Sequence, residues 1–139
     1  MLTHVEFRSD AFPPYDNESE EINPGRFGKR LAEYLANELG RRGEKIGELF
    51  TEDWGWVVPI ENATFGLWIG VGNYDEYPDG FLCFIEPHKE HVRKLFFKKI
   101  PTRERVETLQ RNVNAALLAH PGVRDLKWAT HEEFNRVGT

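Results

Sequence analysis

The sequence predicts an α+β fold: two layers, with a mainly antiparallel sheet of about five to six strands under two main helices. Three observations lead there. Between residues 53 and 87, short runs of β-branched and aromatic residues follow one another across brief polar connections, and consecutive strands on short links pair antiparallel. Two longer stretches, 27–39 and 106–117, repeat apolar residues at helical spacing. The composition, with 40% hydrophobic and 29% charged residues over 139 positions, suits one folded domain spanning residues 1–139.

Taken in order, the elements read β-α-β-β-β-β-α-α-β-α. Residues 4–8 alternate, Val5 and Phe7 against Glu6 and Arg8, as in a strand. Residues 10–23 hold Pro13, Pro14 and the acidic run Asp16 to Glu21, which predicts an acidic loop. Asn23-Pro24 is a helix-start signal. Phe27, Leu31, Tyr34, Leu35 and Leu39 then form the stripe of a core-facing helix, which Gly40 and Gly43 should stop. A strand is expected within residues 46–51. Three more follow: one around Val57, Val58 and Ile60; one where Leu67, Ile69 and Val71 alternate with Trp68, Gly70 and Gly72; and one over Phe81 to Ile85. The spacing of Val92, Leu95 and Phe96 favours a short helix over 88–97, with a strand as the alternative. Thr102 can cap the second long helix, with stripe Val106, Leu109, Val113, Ala116 and Leu117. Residues 123–128 read as a last strand. Thr130 and Glu133 have capping-box spacing for a terminal helix.

The central strands carry apolar groups on both faces. Alternation assigns Trp54, Trp56, Val58 and Ile60 to one face, and sets Trp68 opposite Leu67 and Ile69. Two helices cover one face only. The other needs the acidic loop, a short helix, or a partner, and a twofold homodimer is one solution. Trp68 and Phe84 are expected to be buried in either case.

Charge is uneven. Residues 1–80 hold 7 basic and 16 acidic side chains, while residues 81–139 hold 11 and 7. This asymmetry suits an interaction surface or two halves that neutralise each other. Lys89, Arg93, Lys94, Lys98, Lys99, Arg103 and Arg105 form a basic stretch that would suit nucleic acid, but the net charge of −5 argues against it. The single cysteine, Cys83, allows no intramolecular disulfide. With no leader at Met1 and no apolar run of about 20 residues, the expectation is a cytoplasmic protein with no membrane partner.

Catalytic signatures are missing. Cys83 sits in an apolar run, unlike an activated thiolate. Asp75, Asp79, Gly80 and Glu86 match calcium-loop steps, but Tyr77 stands where an oxygen ligand belongs. His88 and His91 would share a helix edge as a metal pair, joined by His120 or His131 only if the fold brings them close. Glu52, Asp53 and Glu61 would serve as acid and base only at close range. The expectation is therefore no catalytic residue, no metal and no cofactor.

The runs Asp53-Trp54-Gly55-Trp56-Val57-Val58-Pro59 and Tyr74-Asp75-Glu76-Tyr77-Pro78-Asp79-Gly80-Phe81 resemble small uncharacterised bacterial cytosolic proteins of the toxin-immunity type. The resemblance implies a single acidic α+β domain without catalysis and transfers no site residue. The residues themselves favour a non-catalytic protein-binding domain, immunity-like or an adaptor. Its aromatic anchors would be Trp54, Trp56, Tyr74 and Tyr77. A basic partner such as a toxin would be steered by Asp75, Glu76 and Asp79 with Asp16, Glu18, Glu20 and Glu21. The competing reading is a small-molecule-binding domain or enzyme with a pocket on the sheet near Trp68, Cys83, Phe84 and His88.

Overall fold

A computed structural model describes residues 1–74, 76–95 and 98–137. Its elements are β1 (Leu2–Arg8), α1 (Glu18–Glu21), α2 (Lys29–Arg41), β2 (Phe50–Glu52), β3 (Gly55–Ile60), β4 (Leu67–Asn73), β5 (Gly80–Glu86), β6 (His91–Lys94), β7 (Lys98–Pro101), α3 (Arg103–Leu118), β8 (Arg124–Thr130) and α4 (His131–Val137). Six strands form one antiparallel sheet in the order β2-β3-β4-β5-β1-β8, and β6 and β7 form a separate hairpin. The fold is α+β, as predicted. Among the described residues, no helix is long and apolar enough to cross a membrane.

Strand register places every side chain on one of two faces, because residues directly opposite each other point the same way. On one face, Val58, Ile69 and Ile85 form a row, and Trp56, Val71, Cys83, Val5 and Trp128 form the next. Against these rows pack Leu31, Leu35 and Leu39 of α2 and Val106, Leu109, Val113 and Leu117 of α3, all fully buried. The Tyr34 hydroxyl donates to the Ala116 carbonyl at 2.7 Å and ties the helices together. The Trp128 indole N–H donates to Asn114 Oδ1 at 2.9 Å and ties β8 to α3.

Of the candidates for covering the second face, the acidic loop is not the one used. It lies on the helix side and leaves the second sheet face alone. Phe12 is buried against Tyr34, Phe81 and His120. Glu18, 1% exposed, is the pin. Its Oε2 accepts from the amides of Gly28 and Lys29 at 2.8 and 2.9 Å and from the Trp56 indole at 3.1 Å; its Oε1 accepts from the Tyr15 amide at 3.0 Å. Four donors and a helix N-terminus stabilise this buried carboxylate. They also explain why α2 starts at Lys29 and not at Asn23-Pro24: the acceptor that caps the first amides waits there, and Asn23 instead donates to the Asp53 carbonyl at 2.8 Å.

Other boundaries moved for local reasons. In place of the favoured short helix, β6 and β7 pair as a β-hairpin, because Val92 and Ile100 pair across it and lean together on the core. Phe96 and Phe97 lie outside the described residues. The strand expected within 46–51 is only Phe50–Glu52, with one bridge from Ile46 to Ile60. Thr102 stands at the start of α3, but its hydroxyl donates to the Lys89 carbonyl and does not cap the helix. The Thr130–Glu133 capping box forms as predicted: the Glu133 amide donates to Thr130 Oγ1 at 3.1 Å and the Thr130 amide to Glu133 Oε1 at 3.3 Å.

The charge asymmetry is partly internal pairing. Asp79 holds both Arg8 and Arg124, and Glu44 takes two hydrogen bonds from Arg105, at 3.0 and 2.7 Å. The hydrogen bond from Arg8 holds the Asp79 carboxyl below its usual range, helped by the charges of Arg8 and Arg124.

Two outcomes follow. Glu18→Ala leaves four N–H donors without their acceptor and is expected to destabilise by about 3 kcal/mol in urea unfolding, at about 1–3 kcal/mol per stranded buried group with relaxation. The folded-state pKa of Asp79 is depressed, so its contribution is present above the unfolded carboxylate range and is lost as pH falls below about 4. The gap between wild type and Asp79→Asn in urea midpoint should therefore close between neutral pH and about pH 2.

Candidate functional site

The second face of the sheet is built by the alternate residues. Pro59, Trp68 and Glu86 form one row, and Val57, Gly70, Phe84, His4 and Ala129 the next; Gly72, Leu82, Glu6 and Lys127 make a third. Gly70 and Gly72 put no side chain on this face. A Cβ on Gly70 would stand 2.3 Å from the tip of the Phe84 ring, so Phe84 lies flat across the strand where a side chain would have been. The ring packs on Trp54 at 5.1 Å, Trp68 at 5.6 Å and His4 at 5.6 Å between centroids.

Trp54 reaches this face because it belongs to no strand. Glu52 pairs with Gly55, leaving Asp53 and Trp54 as the two turn residues of the β2–β3 hairpin. The turn breaks the alternation that grouped Trp54 with Trp56, and the two indoles end on opposite faces. Trp54 stacks on Trp68 at 6.2 Å, whereas Trp56 is buried in the core on Glu18. Trp54, Trp68, Leu82 and Phe84 are half-buried, not buried as expected for Trp68 and Phe84.

Helix α4 covers only the β1–β8 end. Phe134 stacks on His4 at 5.0 Å, and His131 packs on both His4 and His88. The uncovered remainder forms two adjoining hollows that share Tyr74 and Leu82. One, of about 520 Å3, is lined by Arg26, Asp53, Trp54, Gly72, Asn73 and Phe84 besides. The other, of about 270 Å3, is lined by His4, Glu6, Glu76, Lys127, Ala129, Glu133 and Phe134 besides. Together they make a groove across the strands, floored by Leu82. Its rim carries four acids, Glu6, Asp53, Glu76 and Glu133, and two bases, Arg26 and Lys127.

The residues singled out from sequence scatter around this groove. Trp54, Tyr74 and Glu76 line it. Burial raises the Tyr74 phenol above its ordinary range. Tyr77, 39% exposed, packs edge-on to Tyr74 and under the Arg8 guanidinium, 4.3 Å from its ring centre. Trp56 belongs to the core. Asp79 is engaged by Arg8 and Arg124, and Glu18 is buried, so neither acts as a free steering charge. Asp75 lies outside the described residues. Asp53 and Glu61 sit beyond opposite ends of β3, which separates that acid–base pair. Cys83 is fully buried on the helix side and its thiol is pushed up by desolvation, which removes it as a nucleophile and as pocket lining.

The histidines regroup. His91 is exposed on β6, and His120 packs under Phe12 and Tyr34 on the helix side. His88 instead lies face to face with His131, centroids 3.6 Å apart, and its Nδ1 is 2.7 Å from Glu86 Oε1. Each of Glu86, His88 and His131 offers a ligand atom, and these three atoms all lie within 4.8 Å of one another. Desolvation, reinforced by His131 and His88, lowers the His4 pKa to about 4, so His4 is a neutral wall of the groove. Sequence reasoning missed His4 and Phe134 as lining. The parity of His4 and Glu6 against Val5 and Phe7 was a signal for the first; nothing local marks His131 as a neighbour of His88.

On the hairpin, Arg93 stands opposite Lys99 and Lys94 opposite Lys98, all exposed. Arg103 and Arg105, the end of the same basic stretch, are engaged by Glu90, Glu107 and Glu44. Comparison with family models, curated proteins and solved structures finds no match to this chain.

Gly70→Ala tests how the face is built. The new methyl has to displace the Phe84 ring, which is partly exposed and can shift outward at the expense of its ring contacts. Stability should change by no more than about 1 kcal/mol, while the near-UV circular dichroism of the Trp54–Trp68–Phe84 cluster changes clearly.

Proposed function

We propose that this protein is a non-catalytic protein-binding domain, immunity-like or an adaptor, and that its binding surface is the groove on the open face of the sheet. The occupant is a segment of a partner protein carrying two or three apolar anchors flanked by Lys or Arg. The observation that carries the reading is the half-buried cluster of Trp54, Trp68, Leu82 and Phe84 left uncovered beside the acidic rim. A few residues, enriched in Trp, Tyr and Arg and fully desolvated once a partner binds, dominate the energy of protein recognition. The four rim acids favour basic flanks on the partner and speed the encounter. Phe134 illustrates the mode: an aromatic residue from a short helix already lies on His4 at one end of the same face. This reading moves the binding surface away from the acidic hairpin, whose Asp79 is internally paired.

Selection of displayed random peptides on the full chain tests it. Enriched peptides should combine apolar anchors with Lys or Arg. Leu82→Glu should weaken a selected peptide at least tenfold, about 1.4 kcal/mol, while Glu48→Ala, away from the groove, should leave it unchanged. Peptides without basic residues, or binding indifferent to Leu82→Glu, would overturn the proposal. So would a groove filled by a metabolite in a thermal-shift screen or by a second copy in light scattering.

A further inference from the structure

From the placement of Glu86, His88 and His131, we infer a binding site for one divalent transition-metal ion of the zinc, nickel or copper type. The site is independent of the peptide-binding reading. Two imidazoles and a carboxylate are the donor set that such borderline ions prefer, and three protein ligands leave a further position open. The three donor atoms come from different parts of the chain. Glu86 ends β5, His88 follows it, and His131 opens α4. They already lie within 4.8 Å of one another, and ligand bonds of about 2.0–2.2 Å need only a modest contraction. The stacked rings of His88 and His131 must tilt so that both lone pairs point to one centre. Both rings are partly buried beside a hollow of about 690 Å3 that gives them room and gives the ion access.

A second observation points the same way. His131 Nδ1 is buried with no hydrogen-bond partner, although buried polar atoms are nearly always satisfied. Its other nitrogen, Nε2, lies 2.9 Å from the Asn135 side-chain amide. With that amide turned over, Nε2–H donates to the Asn135 oxygen and the Nδ1 lone pair is left for a metal, the outer support that histidine ligands usually have. The ion binds two neutral imidazoles and one carboxylate, with no redox step. It would clamp the start of α4 to the end of β5, and α4 carries Phe134, a wall of the groove.

The experiment uses the untagged, chelator-treated 139-residue chain. Isothermal titration with zinc chloride should give one ion per chain with a micromolar or tighter Kd. His88→Ala and His131→Ala should each weaken it at least tenfold, while His91→Ala and His120→Ala should not. Copper-loaded wild type should show two equivalent imidazole nitrogens in its electron paramagnetic resonance spectrum, a readout that needs no variant to fold. Absence of stoichiometric binding, a spectrum without two nitrogens, or binding that survives both His88→Ala and His131→Ala would overturn the site.

Discussion

One buried carboxylate decides where the acidic loop lies and where α2 begins. Glu18 sits in a loop rich in acids, yet it is the acid that turns inward. It collects the amides of Tyr15, Gly28 and Lys29 and the indole of Trp56. One side chain thus pins the loop, starts α2 and fixes the orientation of a core tryptophan. A buried charge is tolerated only when fully hydrogen-bonded, and four donors meet that demand. Because the loop is held on the helix side, it cannot cover the sheet's second face.

That leaves the second face to what the chain has left, which is little. Helix α4 has seven residues and reaches one end. Among the described residues, much of the rest is closed by aromatic rings lying on one another: Phe84 across Gly70, Trp54 on Trp68, His4 between Phe84 and Phe134. Rings packed at 5–6 Å shield their faces but not their edges, so the surface stays apolar and half-open. The groove is therefore a consequence of where the loop went and of two glycines that withhold side chains from the face. The proposed binding role and the metal site at its border both use this unfinished side of the sheet.

Charge follows the same pattern of internal use first. Acids of the first half and bases of the second meet at Asp79 with Arg124, Asp10 with Arg124, and Glu44 with Arg105. Two local concentrations of charge remain: the acidic groove rim and the β6–β7 hairpin, where like charges face each other across the strands. Opposed like charges weaken a hairpin, and this one is held by Val92, Ile100 and its attachment to the core.

By itself the sequence determined the class of fold, the two long helices, the central strands and the capping box at Thr130, because period, turn residues and caps are local properties. Val5 and Phe7, the stripes 31–39 and 106–117, and the parity of Leu82 and Phe84 were all legible there. Tertiary structure alone decided the rest. Whether Glu18 steers a partner or staples the core depends on donors from three separate segments. Whether Trp54 shares a face with Trp56 depends on a two-residue turn that shifts parity. Residues 88–97 carried a helical spacing that lost to the pairing of Val92 with Ile100. His88 meets His131 because β8 pairs with β1 and returns α4 over the sheet, a long-range contact set by strand order. Local chemistry specifies elements, but a site is made where distant elements meet, and packing decides which ones do.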